Sequence, residues 1–305
     1  MTDITPTTPP PEGCIDTQVI GHVLLIGINR PAKRNGWTPP MFRQLAEAYT
    51  RLDDDPQLRV GVLHAFGDHF TAGLDLPAVS AYMQRGEKAI PEGLVEPHDY
   101  GLPGYRRRTK PMVVAVKGIC FTVGIELMLG ADIVVAADNC RFSQMEVQRG
   151  IMATGGATLR MAERAGTGNA LLHLLTADEF GSAEAYRLNF VQKVVPAGQE
   201  LQEALQIAQR IEAQAPLAVV ATRLNVLKAI EQGQAAAVAD FIPVQKQLAN
   251  SEDAAEGVRA FVERRPCWEG WGRGGAARSR PGSTQRPLNC AGRRSTNART
   301  PSAAS

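Results

Sequence analysis

Two glutamates carry the chemistry that this chain points to first. Glu126 lies in Gly124-Ile125-Glu126-Leu127-Met128-Leu129, among apolar neighbours, and Glu146 follows in Phe142-Ser143-Gln144-Met145-Glu146-Val147. A carboxylate buried in such a helix is costly to ionise unless it is paired or hydrogen-bonded, and desolvation lifts its pKa toward the range useful for proton transfer. Two such groups make an acid/base pair. The competing structural readings are a surface position for Glu146 and a buried arginine partner for Glu126, because structural ion pairs perturb pKa as well.

Positioning these carboxylates requires a layered core, and the pattern along the chain supplies one. With 305 residues, 44% hydrophobic and 21% charged, the sequence can bury a large core. Residues 1–17 are rich in Pro and Thr and read as a disordered N-terminal segment, with order expected from about Val19. Strands are expected over residues 23–28, 58–66, 111–116 and 132–137. Between them lie a helix after Thr38-Pro39-Pro40, a turn-rich stretch from Gly67 to Gly73, a glycine-bearing turn from Gly118 to Gly124 and a buried helix from Ile125. Residues 84–109 show no periodicity and read as a long, partly mobile loop in which Arg106, Arg107 and Arg108 form a solvated basic cluster. Strand, turn and helix recur, so the expected fold class is α/β over residues 18–200. Residues 201–265 read as a helical region, its third helix running from about Ala236 to Arg264.

The motifs in this order carry a resemblance. The stretches Asn29-Arg30-Pro31 with Asn35, Phe70-Thr71-Ala72-Gly73-Leu74-Asp75-Leu76, Lys117-Gly118-Ile119-Cys120-Phe121-Thr122-Val123-Gly124-Ile125-Glu126-Leu127, and Ala131-Asp132-Ile133 leading to Phe142 and Glu146 together resemble the enoyl-CoA hydratase/isomerase, or crotonase, superfamily. The resemblance covers about residues 19–266. It implies a crotonase-like spiral of repeated β-β-α units with a helical C-terminal region used in oligomerisation, as a homotrimer or dimer of trimers. It also implies an acyl-CoA thioester substrate, with no cofactor beyond that coenzyme A. The implied oxyanion hole is the pair of backbone N–H groups of Leu74 and Val123, in keeping with glycine-bearing turns and a helix N-terminus that favours an anion. Read without the resemblance, Gly73 and Gly124 are ordinary turn glycines. By the same resemblance Glu126 activates water for attack at Cβ, and Glu146 delivers the proton to Cα. The implied reaction is syn hydration of a trans-2-enoyl-CoA to a 3-hydroxyacyl-CoA. Within the same fold the alternatives are an isomerase, a thioester hydrolase, a decarboxylase or a non-catalytic acyl-CoA-binding scaffold. Coenzyme A would be gripped by backbone around Ala72, Asp75 and Leu76 and by Lys33 and Arg34, with Arg30, Arg106 and Lys228 as substitutes.

The chain departs from the family at two places. Thr122-Val123-Gly124 stands where many members carry a glycine run, and Met152-Ala153-Thr154-Gly155-Gly156 replaces a Pro-Gly-x-Gly-Gly loop. A β-branched Val123 disfavours positive φ and fills space beside the thioester.

Composition excludes several function classes. Five scattered cysteines and five histidines show no metal-ligand spacing, so no metal site is expected. No apolar run reaches the roughly 20 residues of a membrane span, and Met1 to Gly13 lacks the basic start and apolar stretch of a secretory signal, so a cytoplasmic protein with no membrane partner is expected. The net charge of +2 divides unevenly: residues 266–305 hold seven arginines and one acid, leaving a mildly acidic body. That stretch is nearly devoid of large apolar residues and reads as a disordered Arg/Gly/Ser/Pro-rich tail. Its arginines suit nucleic acid or anionic lipid, but the abrupt change after Arg265 is read as a frame-shifted or extended reading frame, so no nucleic-acid partner is expected.

Overall fold

The structure, a computed structural model, describes residues 4–265; the expected tail at 266–305 lies outside the described residues. In chain order the first elements are β1 (Cys14–Ile20), β2 (Val23–Asn29), α1 (Pro39–Asp54), β3 (Val60–Ala65), α2 (Leu76–Arg85), β4 (Met112–Val116), β5 (Ile119–Phe121), α3 (Val123–Gly130), β6 (Ile133–Ala137) and β7 (Arg141–Ser143). A 3-10 turn at Glu146–Arg149 leads to α4 (Ala157–Ala165), α5 (Thr167–Thr176), β8 (Phe180–Gly181), α6 (Ser182–Arg187) and β9 (Lys193–Val195). Five helices close the described chain: α7 (Glu200–Glu212), α8 (Pro216–Gln232), α9 (Gln234–Ala239), α10 (Phe241–Ala249) and α11 (Glu252–Glu263).

A six-stranded sheet in the order β1-β2-β3-β4-β6-β9 is parallel except for the antiparallel edge strand β1. Its inner strands are apolar on both faces, as a parallel sheet covered on both sides requires. Period-2 alternation sorts their side chains: Leu24, Ile26 and Ile28 of β2 and Met112, Val114 and Val116 of β4 face one core, while Val23, Leu25, Val113 and Ala115 face a second, where Ala204, Ile207 and Ala208 of α7 cover them. So α7, the first helix of the region expected from residue 201, packs on the large sheet.

A smaller sheet, β5-β7-β8, lies beside the first and is extended by two isolated parallel bridges, Thr71 to Cys120 and Trp37 to Leu74. Each pass of the chain therefore makes one strand in the large sheet, one short extended segment in the small one, and then a helix. Strand β2, Trp37 and α1 form one such unit. The others are β3, the Thr71–Leu74 segment and α2; then β4, β5 and α3; then β6, β7 and α4.

Four expectations need correction. Order begins before Val19: β1 starts at Cys14, and the Pro/Thr-rich segment ahead of it is tied down where Thr7 donates to Asp16, Arg30 Nε to the Pro11 carbonyl and Thr38 Oγ1 to the Glu12 carbonyl. Residues 118–124 are not simply a turn, because β5 occupies their centre. The 84–109 segment is anchored rather than loose: Glu96, His98, Asp99 and Arg108 are buried, and Val95 bridges Arg106. Its arginines are committed, Arg106 to Asp54 at 2.6 Å, Arg107 to Asp99 at 2.9 Å and Glu231 at 2.7 Å, and the fully buried Arg108 to Asp132 at 2.7 Å. Finally, the helix expected from Ala236 to Arg264 is three helices. Pro243 has no N–H for the Ala239 carbonyl, so α9 ends there, and Ser251 caps a new helix by accepting the Ala254 N–H at 3.2 Å.

Candidate active site

Three parallel segments of the small sheet stop in register. Thr71 pairs with Cys120, Cys120 pairs with Phe142, and Thr122 N–H donates to the Ser143 carbonyl at 3.0 Å. Leu74 lies three residues past Thr71, Val123 three past Cys120, and Glu146 four past Phe142, so all three leave the same end of adjacent segments.

The Leu74 and Val123 N–H groups are turned away from other partners. Trp37 donates to the Gly73 carbonyl and Asp75 donates to the Trp37 carbonyl, so the intervening Leu74 N–H projects from the opposite side of that pairing. Val123 is the first residue of α3, where an N–H has no intrahelical acceptor. The two turns touch. Gly73 has φ +105°, and a Cβ there would run into Thr122 Oγ1, so only glycine permits this approach. The strain expected at Val123 falls elsewhere: Thr122 carries the positive φ, +49°, and Val123 is already helical. Gly124, read as a turn glycine, is inside α3; its missing Cβ makes room for Thr71 Cγ2 and Cys120 Sγ.

All eight residues of α3 are buried, Glu126 included at 6% exposure, and its main-chain N–H donates to Thr122 at 3.2 Å. No arginine pairs with it among the described residues. Its Oε1 accepts the Gly155 N–H at 2.5 Å and the carboxyl also takes the N–H of Ala157, the first residue of α4. Burial raises the Glu126 pKa, while His98 and these two N–H groups pull it back. Glu146 is half-buried, touched by Gln144 Nε2 at 3.3 Å, and its Oε2 is buried without a hydrogen-bond partner. Burial first, and then the charge of Glu126, push its pKa up to about 7. It is therefore not a surface glutamate, and the two carboxyls sense each other.

The expected coenzyme-binding residues lie along the Thr71–Leu76 side. Lys33 and Arg34 are exposed and outside every ion pair among the described residues. The Ala72 N–H donates to the Arg34 carbonyl at 2.9 Å, and Leu76 is exposed at the start of α2. Asp75 is taken by Arg30 at 2.8 Å, which also removes Arg30 as a free cation, and Lys228 is held by Asp240 at 2.6 Å. No cluster of three or more potential metal ligands occurs among the described residues.

One pair escaped the sequence pattern. His98 Nδ1 lies 2.6 Å from Glu96 Oε1, both residues buried, and His98 Nε2 has no hydrogen-bond partner. A Cβ at Gly155 would collide with Glu126 Oε2 and lie 2.9 Å from His98 Nε2. The only trace in the sequence is a glutamate two residues before a histidine in a loop without periodicity.

Comparison with known proteins agrees with this geometry. Over 251 residues the chain is 35% identical to enoyl-CoA hydratase EchA19 of Mycobacterium tuberculosis, covering 80% of this chain and 92% of that one. It is 34% identical over 266 residues to mevalonyl-coenzyme A hydratase sidH of Aspergillus fumigatus, covering 85% and 96%. A solved structure described as a probable enoyl-CoA hydratase/isomerase from Mycobacterium abscessus matches with TM-score 0.79 at 45% identity, over 83% of this chain and 96% of that one. The expected crotonase spiral with its helical C-terminal region is thus the fold observed. The profile described as Enoyl-CoA hydratase/isomerase matches residues 19–271, and with in-register turns and a buried and a half-buried carboxyl built from the motifs of that family, the chain belongs to it.

Proposed function

We propose that this chain is an enoyl-CoA hydratase that adds water syn across a trans-2-enoyl-CoA to give a 3-hydroxyacyl-CoA. The observation that carries the reading is the convergence of two desolvated carboxyls, Glu126 and Glu146, on the end of the small sheet where the Leu74 and Val123 N–H groups stand free. The thioester carbonyl accepts from both N–H groups, which stabilise the enolate oxygen as charge develops on it. Glu126 takes a proton from water as the hydroxyl oxygen bonds to Cβ, and Glu146 gives its proton to Cα. The substrate gains one water, and the enzyme resets by passing the proton gained at Glu126 back to Glu146 through solvent. A pKa of about 7 suits Glu146 as the acid, whereas the N–H groups of Gly155 and Ala157 favour the ionised form of Glu126.

Lys33 and Arg34 face the phosphates of coenzyme A in this proposal, with backbone from Ala72 to Leu76 along the nucleotide; Asp75 acts by holding Arg30. The reaction uses no cofactor beyond the coenzyme A of its substrate. The assembly is a homotrimer or dimer of trimers in the cytoplasm, a reading supported by the exposed apolar side chains Phe241, Ile242, Val258, Phe261 and Val262 on α10 and α11. Among the described residues no helix is long and apolar enough to cross a membrane.

Purified protein is expected to hydrate crotonyl-CoA or a longer enoyl-CoA, followed by loss of the conjugated thioester absorbance, and Glu146→Gln is expected to lower kcat by roughly 10²–10⁴-fold. Inactivity of the wild type across straight and branched enoyl thioesters would sink the hydratase reading. Coenzyme A binding without turnover, unchanged by substitution of either glutamate, would select a scaffold instead.

A further inference from the structure

Glu126 is asked to act as a base from within an apolar helix, yet the charge that acts on it most is that of a histidine that the reaction above does not use. His98 is fixed on one side: its Nδ1 and its main-chain N–H both lie on Glu96 Oε1, at 2.6 and 3.0 Å. A carboxylate accepts only, so Nδ1 is the protonated nitrogen of that contact. Nε2 is then the atom whose state is open, and it and Glu126 Oε2 both border the space that a Cβ on Gly155 would fill. A neutral imidazole would turn a lone pair toward a carboxylate there, whereas an imidazolium would turn an N–H toward it. No hydrogen bond joins the two groups, so they are coupled through charge, and imidazolium beside carboxylate is the arrangement in which each favours the charged form of the other.

Resting on the hydratase reading of Glu126, we propose that Glu96 and His98 form a positioning pair that keeps Glu126 in its carboxylate form by presenting a protonated Nε2 to it. The surroundings favour this arrangement. Burial of His98 opposes its protonation, but the hydrogen bond and charge of Glu96 outweigh this and raise its pKa, with Glu126 acting in the same direction. Arg160 of α4 opposes it; Tyr100 and Phe42, whose rings lie 6.1 and 6.5 Å from the imidazole, are uncharged. Glu146 has no such partner, and its other neighbour is the amide of Gln144. The pair thereby separates the two carboxyls into a base and an acid, although both are desolvated. His98 acts through Glu126 and does not itself meet the reacting atoms.

The test reads the carboxyl without turnover. Protein labelled with ¹³C at the glutamate carboxyl is titrated as wild type, His98→Gln and Glu96→Gln, with the Glu126 signal assigned by its loss in Glu126→Gln. Removing the imidazolium, or the anion that sustains it, is expected to move the Glu126 titration up by about one pH unit or more. ¹⁵N spectra of wild-type histidine are expected to show His98 doubly protonated at neutral pH. The acid limb of kcat/KM is expected to move upward with the carboxyl, and KM to change little. An unchanged Glu126 titration in whichever variant folds, or a neutral wild-type imidazole at pH 7, would overturn the proposal. Failure of the wild type to hydrate any enoyl-CoA would overturn the hydratase reading alone, because the carboxyl titration stands without it.

Discussion

Burying Glu146 with an oxygen that has no hydrogen-bond partner makes its protonation part of the energetics of folding. Its pKa is about 7 in the folded chain against 4.5 for an unperturbed glutamate. The folded state therefore binds this proton more tightly than the unfolded state, and the favourable contribution, complete below about 4.5, is lost as pH rises through 7. Glu146→Gln, which has no charge to desolvate, is expected to melt progressively higher than wild type as pH is raised from 5 to 8, while losing hydratase activity. Differential scanning fluorimetry across that range reads it, and parallel Tm-against-pH curves would show that the carboxyl is solvated. Glu126 was legible in the sequence because it interrupts an apolar pattern with a charge, and Glu146 through the motif resemblance that pairs it with Glu126. His98 was not, since its meaning depends on Gly155, Glu96 and Glu126 meeting across three separate segments.

Between Thr71 and Leu74 and between Cys120 and Val123 the chain makes two matched turns, and the donors face together only while Gly73 and Thr122 stay in contact. Gly73→Ala would place a methyl against Thr122 and put a non-glycine residue at φ +105°. The Leu74 N–H should shift from the enolate oxygen, so kcat is expected to fall by roughly 10²–10³-fold with a smaller change in KM, measured by steady-state kinetics. A wild-type kcat would separate the two turns from the chemistry. The strands were readable from their β-branched runs, and α3 from being apolar on every side. The short strand β5 was hidden because three residues between glycines carry no period, and the positive φ was assigned to the wrong residue because Val123, rather than Thr122, broke the familiar pattern. The breaks at Asp240 and Ser251 were signalled by Pro243 and by a serine cap, but continuous apolar spacing masked both.

At the scale of the whole molecule, one buried ionic cluster joins the long 86–111 segment, the large sheet and α8. Arg108, with no exposure, reaches Asp132 at 2.7 Å and the Gly130 carbonyl at 3.0 Å; Arg223 of α8 reaches Asp132 at 2.8 Å and Asp99 at 2.5 Å. Removing one member of such a set leaves opposite charge uncompensated in the interior. Arg108→Met is expected to lower the unfolding free energy by about 3–5 kcal/mol, read from denaturant midpoints. A loss below ~1 kcal/mol would mean that the cluster is solvated in solution. A run of three arginines looks like a solvated patch in the sequence because their acidic partners, Asp54, Asp99, Asp132 and Glu231, are spread along the chain.

The pairing of Thr71 with Cys120 has a consequence for how this enzyme could be altered. It sets the spacing of the two donors by counting residues from a shared rung, so the proposed oxyanion hole is assembled without help from the 86–111 segment. That segment can be exchanged or lengthened without touching this spacing so long as Glu96, His98, Asp99 and Arg108 are kept, whereas one residue inserted on either side of the rung would slide one donor past the other. Loop length and donor spacing are thus written on separable parts of the chain, one tolerant of insertion and one ruled by it.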